Sequence, residues 1–177
     1  MTWPFHRLLA DMYGLRRYCQ FMARAPMVEW ASHEAQENGA DIRFRQRHPR
    51  ILVADDQEEI RRAIVLMLED EFEIVGAAEN GSQVLDLAVE QSPDVLVLDI
   101  FMPVLNGIEV AAYLRASGCP AKVLFVTVNE DPDFLDTAMS EGALGYVSKA
   151  HLATDLIPAI RSVMEGRIFI SPCMHLS

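Results

Sequence analysis

Apolar and polar residues fall in blocks along most of this chain, and the blocks switch regularly between two periods. Ile51-Leu52-Val53-Ala54 is a short continuous apolar run closed by Asp55-Asp56. Ile60, Ala63, Ile64, Met67 and Leu68 then recur at helical spacing, with Arg61, Arg62 and Glu69 off that stripe. Residues 72–77 predict a second strand. Asn80-Gly81-Ser82 turns into a helix, with Ser82 as candidate N-cap and Val84, Leu85, Leu87 and Ala88 on its apolar side. Pro93 stops it. Val95 to Leu98 form a third apolar run that leads straight into Asp99, and Met102-Pro103 turn the chain. A third helix opens at Asn106-Gly107, carries Ile108, Ala111, Ala112 and Leu114 inward, and ends at Gly118.

The alternation continues to the end of the chain. Residues 122–127 predict the fourth strand. Asp131-Pro132 reads as an N-cap followed by proline at the first helical position, and that helix ends at Gly142. Residues 145–148 predict a short fifth strand, followed by Lys149. Thr154-Asp155 starts the last helix, with Pro158 in its first turn or just beyond. Leu156, Ile160, Val163 and Met164 face inward, and Gly166 closes it. Apolar runs without a polar alternate mark strands covered on both faces. Five such strands alternating with five helices predict right-handed βαβ units and an α/β fold around a parallel sheet.

The first fifty residues follow another pattern. Phe5, Leu8, Leu9, Met12, Leu15, Cys19 and Met22 lie on one face of a helix. That spacing suits a partner-binding or membrane-surface helix, but the favoured reading is a poorly ordered extension, or translated sequence upstream of the true start. Residues 31–50 are polar and read as a linker. The expected division is therefore an extension and linker over 1–49, a globular domain over 50–166, and a tail or interdomain linker over 167–177.

Charge sharpens that boundary. Residues 1–50 hold eight arginines, no lysine and five acids; residues 51–177 hold seven basic residues and 21 acids. The formal net charge of −11 argues against a general nucleic-acid binder. Cys19, Cys119 and Cys173 are odd in number and lack metal-ligand spacing, which fits a reducing compartment without a disulfide framework. The five histidines share no spacing and read as surface groups. No apolar run is long enough for a membrane span, and Arg7, Arg16 and Arg17 interrupt any signal peptide, so the expected location is the cytoplasm.

The chemistry sits at the strand ends. Asp55 and Asp56 follow the first strand, Asp99 the third, Thr127 ends the fourth and Lys149 follows the fifth. In a parallel sheet these ends share one edge, where open α/β sheets bind ligands. Clustered carboxylates raise one another's pKa. A hard divalent cation relieves that strain, and all-oxygen ligation suits Mg²⁺, with Mn²⁺ as the alternative ion. A carboxylate beside such a metal invites attack on a phosphoryl group to give an acyl phosphate. Lys149 and Thr127 stand ready for the equatorial oxygens of the transferred group.

Residues 51–56 (ILVADD), 95–107 (VLVLDIFMPVLNG), 123–127 (VLFVT) and 145–149 (GYVSK) together resemble the receiver domain of two-component response regulators. Residues 51–56, 145–149 and 165–172 (EGRIFISP) further resemble the receivers of NarL/FixJ-type regulators, which normally continue into a LuxR-type helix-turn-helix. The resemblance implies a three-layer flavodoxin-like (βα)5 fold, strand order 2-1-3-4-5. It implies Asp99 as phosphoacceptor for a sensor histidine kinase or phosphotransfer protein. Asp55, Asp56 and the Phe101 backbone carbonyl match its metal ligands, Thr127 its switch hydroxyl, Lys149 its phosphate-pairing lysine and Tyr146 its switch aromatic. The readout face would be the fourth helix, fifth strand and last helix, often a homodimer surface. No helix-turn-helix follows within these residues, so the expectation is a receiver without nucleic-acid binding of its own, whether stand-alone or cut from a regulator. It would not be an enzyme beyond metal-assisted self-phosphorylation and slow autodephosphorylation.

Two alternatives use similar parts. A haloacid-dehalogenase-type phosphatase also uses a strand-end aspartate and Mg²⁺. It places the nucleophile after the first strand with a second aspartate two residues on, whereas here Asp55 and Asp56 are adjacent and position 101 is Phe. A flavin carrier on the same fold needs a hydroxyl- or glycine-rich loop after the first strand, where this chain is acidic.

Overall fold

A computed structural model of the chain describes residues 48–129 and 131–175. The expectations for the N-terminal helix and most of the linker fall outside those residues. The first strand, β1, is Arg50–Ala54, and it is followed by α1, Glu58–Leu68. Next come β2 (Glu73–Ala78), α2 (Gly81–Gln91) and β3 (Val95–Leu98). Then follow α3 (Gly107–Ala116), β4 (Lys122–Thr127), α4 (Pro132–Ser140) and β5 (Gly145–Ser148). The chain closes with α5 (Leu152–Met164) and a two-residue β6 (Phe169–Ile170).

The strands pair in the order β2-β1-β3-β4-β5-β6, all parallel. The expected five-strand order holds, and β6 extends it by one. From β1 the chain moves first to β2 on one side and then to β3 on the other. The switch point therefore lies between β1 and β3.

Burial explains the continuous apolar runs. Ile51 and Val53 of β1, Val95 and Val97 of β3, and Leu124 and Val126 of β4 pack against Ile64 and Leu68 of α1 and Leu156, Ile160 and Val163 of α5. The intervening residues Leu52, Leu96, Leu98 and Phe125 point to the opposite face and are fully buried there too, where α2 and α3 pack on one another. Both faces are dry, so neither needs a polar alternate. Burying one such side chain is worth about 2 kcal/mol, and the central strand β3 buries every residue.

Local departures from the expected pattern have local causes. The N-cap of α2 is Asn80, not Ser82: its side chain accepts from the Gln83 amide. Met67 is exposed, and Val65 packs on the core in its place. The last helix starts at Leu152, not at Thr154, because a 3₁₀ turn over Lys149–His151 feeds directly into it. Pro158 is consequently inside the helix, on its exposed side, where water can serve the carbonyl its missing N–H leaves. The segment read as a tail forms β6, since two residues carry no readable periodicity.

Candidate functional site

The sheet ladder fixes the backbone of the two central acids. Ala54 of β1 pairs with Leu98 of β3, and the bonding continues one residue further. The Asp55 amide donates to the Ala78 carbonyl at 3.1 Å, and the Asp99 amide to the Ala54 carbonyl at 2.8 Å. Both carboxylates thus stand on rigid strand ends beside the switch point. The loop after Asp99 is equally constrained. The Gly107 amide donates to the Ile100 carbonyl at 2.9 Å. A Cβ on Gly107 would lie 2.2 Å from the Asp99 carbonyl oxygen, so only glycine fits. Asn106 starts α3 in a reciprocal capping box with Glu109, each bond 2.9 Å.

Lys149 crosses from the end of β5 and bridges the pair. Its Nζ lies 2.7 Å from Asp55 Oδ2 and 3.0 Å from Asp99 Oδ2, with all three side chains nearly buried. The second Asp55 oxygen accepts from the Gln57 amide at 3.0 Å. Asp99 Oδ1 is buried with no side-chain partner, and the Phe101 backbone amide is the group that lowers the charge cost of this carboxylate from the loop side; in a dry site such an oxygen marks a ligand position.

Burial raises the Asp99 pKa above the usual carboxylate value, the Lys149 bond and charge oppose the rise, and the neighbouring Asp55 adds to it. Burial alone would lower the Lys149 pKa, but its bonds to Asp55 and Asp99 outweigh that and raise it. A cationic lysine therefore faces two acids.

Asp56 is exposed, and one oxygen each from Asp55, Asp56 and Asp99 can lie within 4.8 Å of the others. Ligands around a six-coordinate Mg²⁺ stand up to roughly 4.2 Å apart, so small side-chain rotations would close the set. Three carboxylates against one ammonium leave an excess of negative charge that a divalent cation would offset. The donors are all oxygen, and one is an orphaned buried acceptor. The residues fit a hard divalent cation.

The remaining expected residues surround this centre. Thr127 is fully buried at the end of β4, and its Oγ1 accepts from the Asn129 amide at 3.1 Å. Tyr146 is also buried, with its hydroxyl donating to the Asn129 carbonyl at 3.0 Å. Burial, then the charges of Asp131 and Asp99, push its pKa to about 12. Thr127 and Tyr146 thus meet at Asn129, a residue the sequence pattern did not single out. Phe101 is half exposed and its ring stacks, tilted, on Phe134 of α4 at 5.4 Å between centroids. Val128 is 67% exposed at the rim. Two further buried polar groups, Asp155 and Ser171, also went unread. Among the described residues, neither Cys119 nor Cys173 is in a disulfide, and no helix is long and apolar enough to cross a membrane.

Comparison with known proteins identifies the family and the fold. Residues 51–161 match the response regulator receiver domain family. The chain is 38% identical over 125 residues to the response regulator GacA of Pseudomonas aeruginosa, covering 70% of this chain and 58% of GacA. It is 36% identical over 124 residues to the transcriptional regulatory protein DesR of Bacillus subtilis, covering 69% of this chain and 61% of DesR. Less than two-thirds of these relatives' length is therefore spanned. Among solved structures, the signal receiver domain of the response regulator NarL from Mycobacterium tuberculosis superposes with TM-score 0.66 at 31% identity, covering 68% of this chain and 99% of that domain. None of these matches supports the phosphatase alternative. This chain belongs to the response regulator receiver domain family of two-component phosphorelay signalling.

Proposed function

We propose that Asp99 is the phosphoacceptor, with a sensor histidine kinase or phosphotransfer protein as donor. One observation carries the reading: Lys149 bridges Asp55 and Asp99 at the switch point, leaving Asp99 Oδ1 buried with no side-chain partner. An Asp99 oxygen attacks the phosphorus of a phosphohistidine. The P–N bond breaks as the P–O bond forms, and the imidazole leaves with the electron pair. Asp55, Asp56, Asp99 and the Phe101 carbonyl would hold Mg²⁺ or Mn²⁺, which supplies charge neutralisation for the transferred group. Lys149 neutralises a phosphoryl oxygen as that oxygen gains charge, and Thr127 turns its hydroxyl toward another. That turn would release the Asn129 amide from Thr127, and Tyr146 is tied to the same residue. Phosphorylation then biases a pre-existing equilibrium of the face built by α4, β5 and α5. That face would control a homodimer, a partner or a DNA-binding output domain in the cytoplasm.

The test is intact mass after incubation with acetyl phosphate and Mg²⁺. A single hydroxylamine-labile phosphoryl adduct is expected, absent with EDTA and absent in Asp99→Asn. Steady turnover of phosphate esters instead would point to a hydrolase. Val128 and the Phe101–Phe134 pair stand at the rim and support a restricted approach of water. Autodephosphorylation of Val128→Ala should accelerate several-fold; an unchanged lifetime removes Val128 from that role.

A further inference from the structure

Strand β5 is bonded in two directions at once. Toward the pocket, it carries Tyr146, whose hydroxyl reaches Asn129, and leads into Lys149. Toward the opposite edge, the Tyr146 carbonyl accepts from the Ser171 amide at 2.9 Å, and the Ser148 amide donates to Ser171 Oγ at 3.2 Å. Ser171 Oγ donates in turn to Asp155 Oδ2 at 2.6 Å, and Thr154 Oγ1 donates to Asp155 Oδ1 at 2.8 Å. Ser171 is fully buried and Asp155 is 9% exposed. Asp155 lies on α5, Ser148 immediately precedes Lys149, and Ser171 immediately follows β6.

A two-residue edge strand is too short to hold by its ladder alone. Here the buried chain from Ser148 through Ser171 to Asp155 pins it, joining β5, α5 and the segment after β6. The same Ser148 side chain caps the turn that presents Lys149, accepting from the Ala150 amide at 3.3 Å. The placement of Lys149 and the pairing of β6 therefore depend on one backbone position.

We propose that Asp155 and Ser171 are positioning residues that couple the state of the Asp99 pocket to the pairing of β6. The proposal rests on the receiver reading above and extends it to where the signal leaves the domain. The two-state element is β6, paired or released, and both ends bias it. A filled pocket holds Lys149 on the bound anion, which steadies Ser148 and favours the paired state. By linkage, a paired β6 favours a filled pocket by the same factor.

The experiment uses the full chain with beryllofluoride and Mg²⁺ as the probe. Bound ligand is followed by ¹⁹F NMR, and amide exchange is read at Phe169 and residue 171. In the unmodified chain, beryllofluoride should slow exchange at these amides about fivefold, the lower range of ordinary coupling. Ser171→Ala should speed their exchange about tenfold without ligand, because it removes a hydrogen bond to a charged acceptor. It should also abolish the response to beryllofluoride and weaken its binding by about the same fivefold. Asp155→Asn should act in the same direction, and Ser171→Thr, which keeps the hydroxyl, should retain the coupling. If bound ¹⁹F signal is present but exchange at β6 does not respond, the relay is wrong while the pocket assignment stands. If Ser171→Ala responds like the unmodified chain, the relay is equally wrong. If no beryllofluoride binds the unmodified chain, the pocket reading fails and the relay falls with it.

Discussion

Two buried aspartates flank the end of β5, and they are partnered in opposite ways. Asp155 has both oxygens bonded to neutral hydroxyls, from Ser171 and Thr154. Asp99 has one oxygen on the Lys149 ammonium and one buried oxygen with no side-chain partner. A completed carboxylate is a fastener: its worth lies in what it holds together. An incomplete one, crowded by a second acid and raised in pKa by burial, is poised to take a ligand. Burial alone does not separate a structural acid from a reactive one; the unfilled valence does.

Removing Lys149 breaks the contrast most severely. Lys149→Ala leaves Asp55 and Asp99 buried and facing each other without a cation. Loss of one partner from a buried ion pair costs about 3 kcal/mol, to be read by urea unfolding in EDTA. Adding Asp99→Asn should recover more than half of that, because it removes one of the two repelling charges. Mg²⁺ should also stabilise Lys149→Ala more than the unmodified chain, by mass action on the folded state. A cost that neither change relieves would show that the lysine acts through packing alone.

The Asp155 side should respond more weakly. Ser171→Ala should lower stability by about 1–2 kcal/mol, and Mg²⁺ should stabilise it no more than it does the unmodified chain, since no metal position adjoins Ser171. The effect at Tyr146, which lies between the two regions, is confined to high pH and leaves neutral-pH stability least changed. Its pKa of about 12 stands above the ordinary value of 10.0. A raised folded pKa gives stability that is full below pH 10.0 and lost as pH rises toward 12. Absorbance titration should show a late phenol that is missing in Tyr146→Phe, and that variant should lose less stability across this window.

The reactive region was more legible in the sequence than the fastener. Asp55, Asp99 and Lys149 each end a strand, and continuous apolar runs announce where strands end. Their convergence follows from parallel topology, without any knowledge of side-chain contacts. Asp155 and Ser171 offered no such cue. Thr154-Asp155 imitates a helix start, because serine, threonine and aspartate have the same capping chemistry wherever they occur. Only the 3₁₀ turn after Lys149 shows that the helix has already begun and that Asp155 points inward. Strand β6 was hidden for a related reason: Phe169 and Ile170 are too few to show a period. Asn129, where the Thr127 and Tyr146 contacts meet, bonds mainly through its backbone, and a backbone role leaves no trace in residue type. Gly107 was read only as part of a helix start, whereas the structure makes it the contact that closes the chain against Asp99.

The central claim is that Asp99 carries the phosphoryl group. Borohydride reduction of the acetyl phosphate-treated protein, followed by peptide sequencing in a mass spectrometer, addresses it at single-residue level. Reduction of an aspartyl phosphate yields homoserine, and the account predicts homoserine at position 99 and nowhere else. Homoserine at position 55, 56 or 155, or a phosphoryl group that survives reduction on a hydroxyl or imidazole, would contradict it.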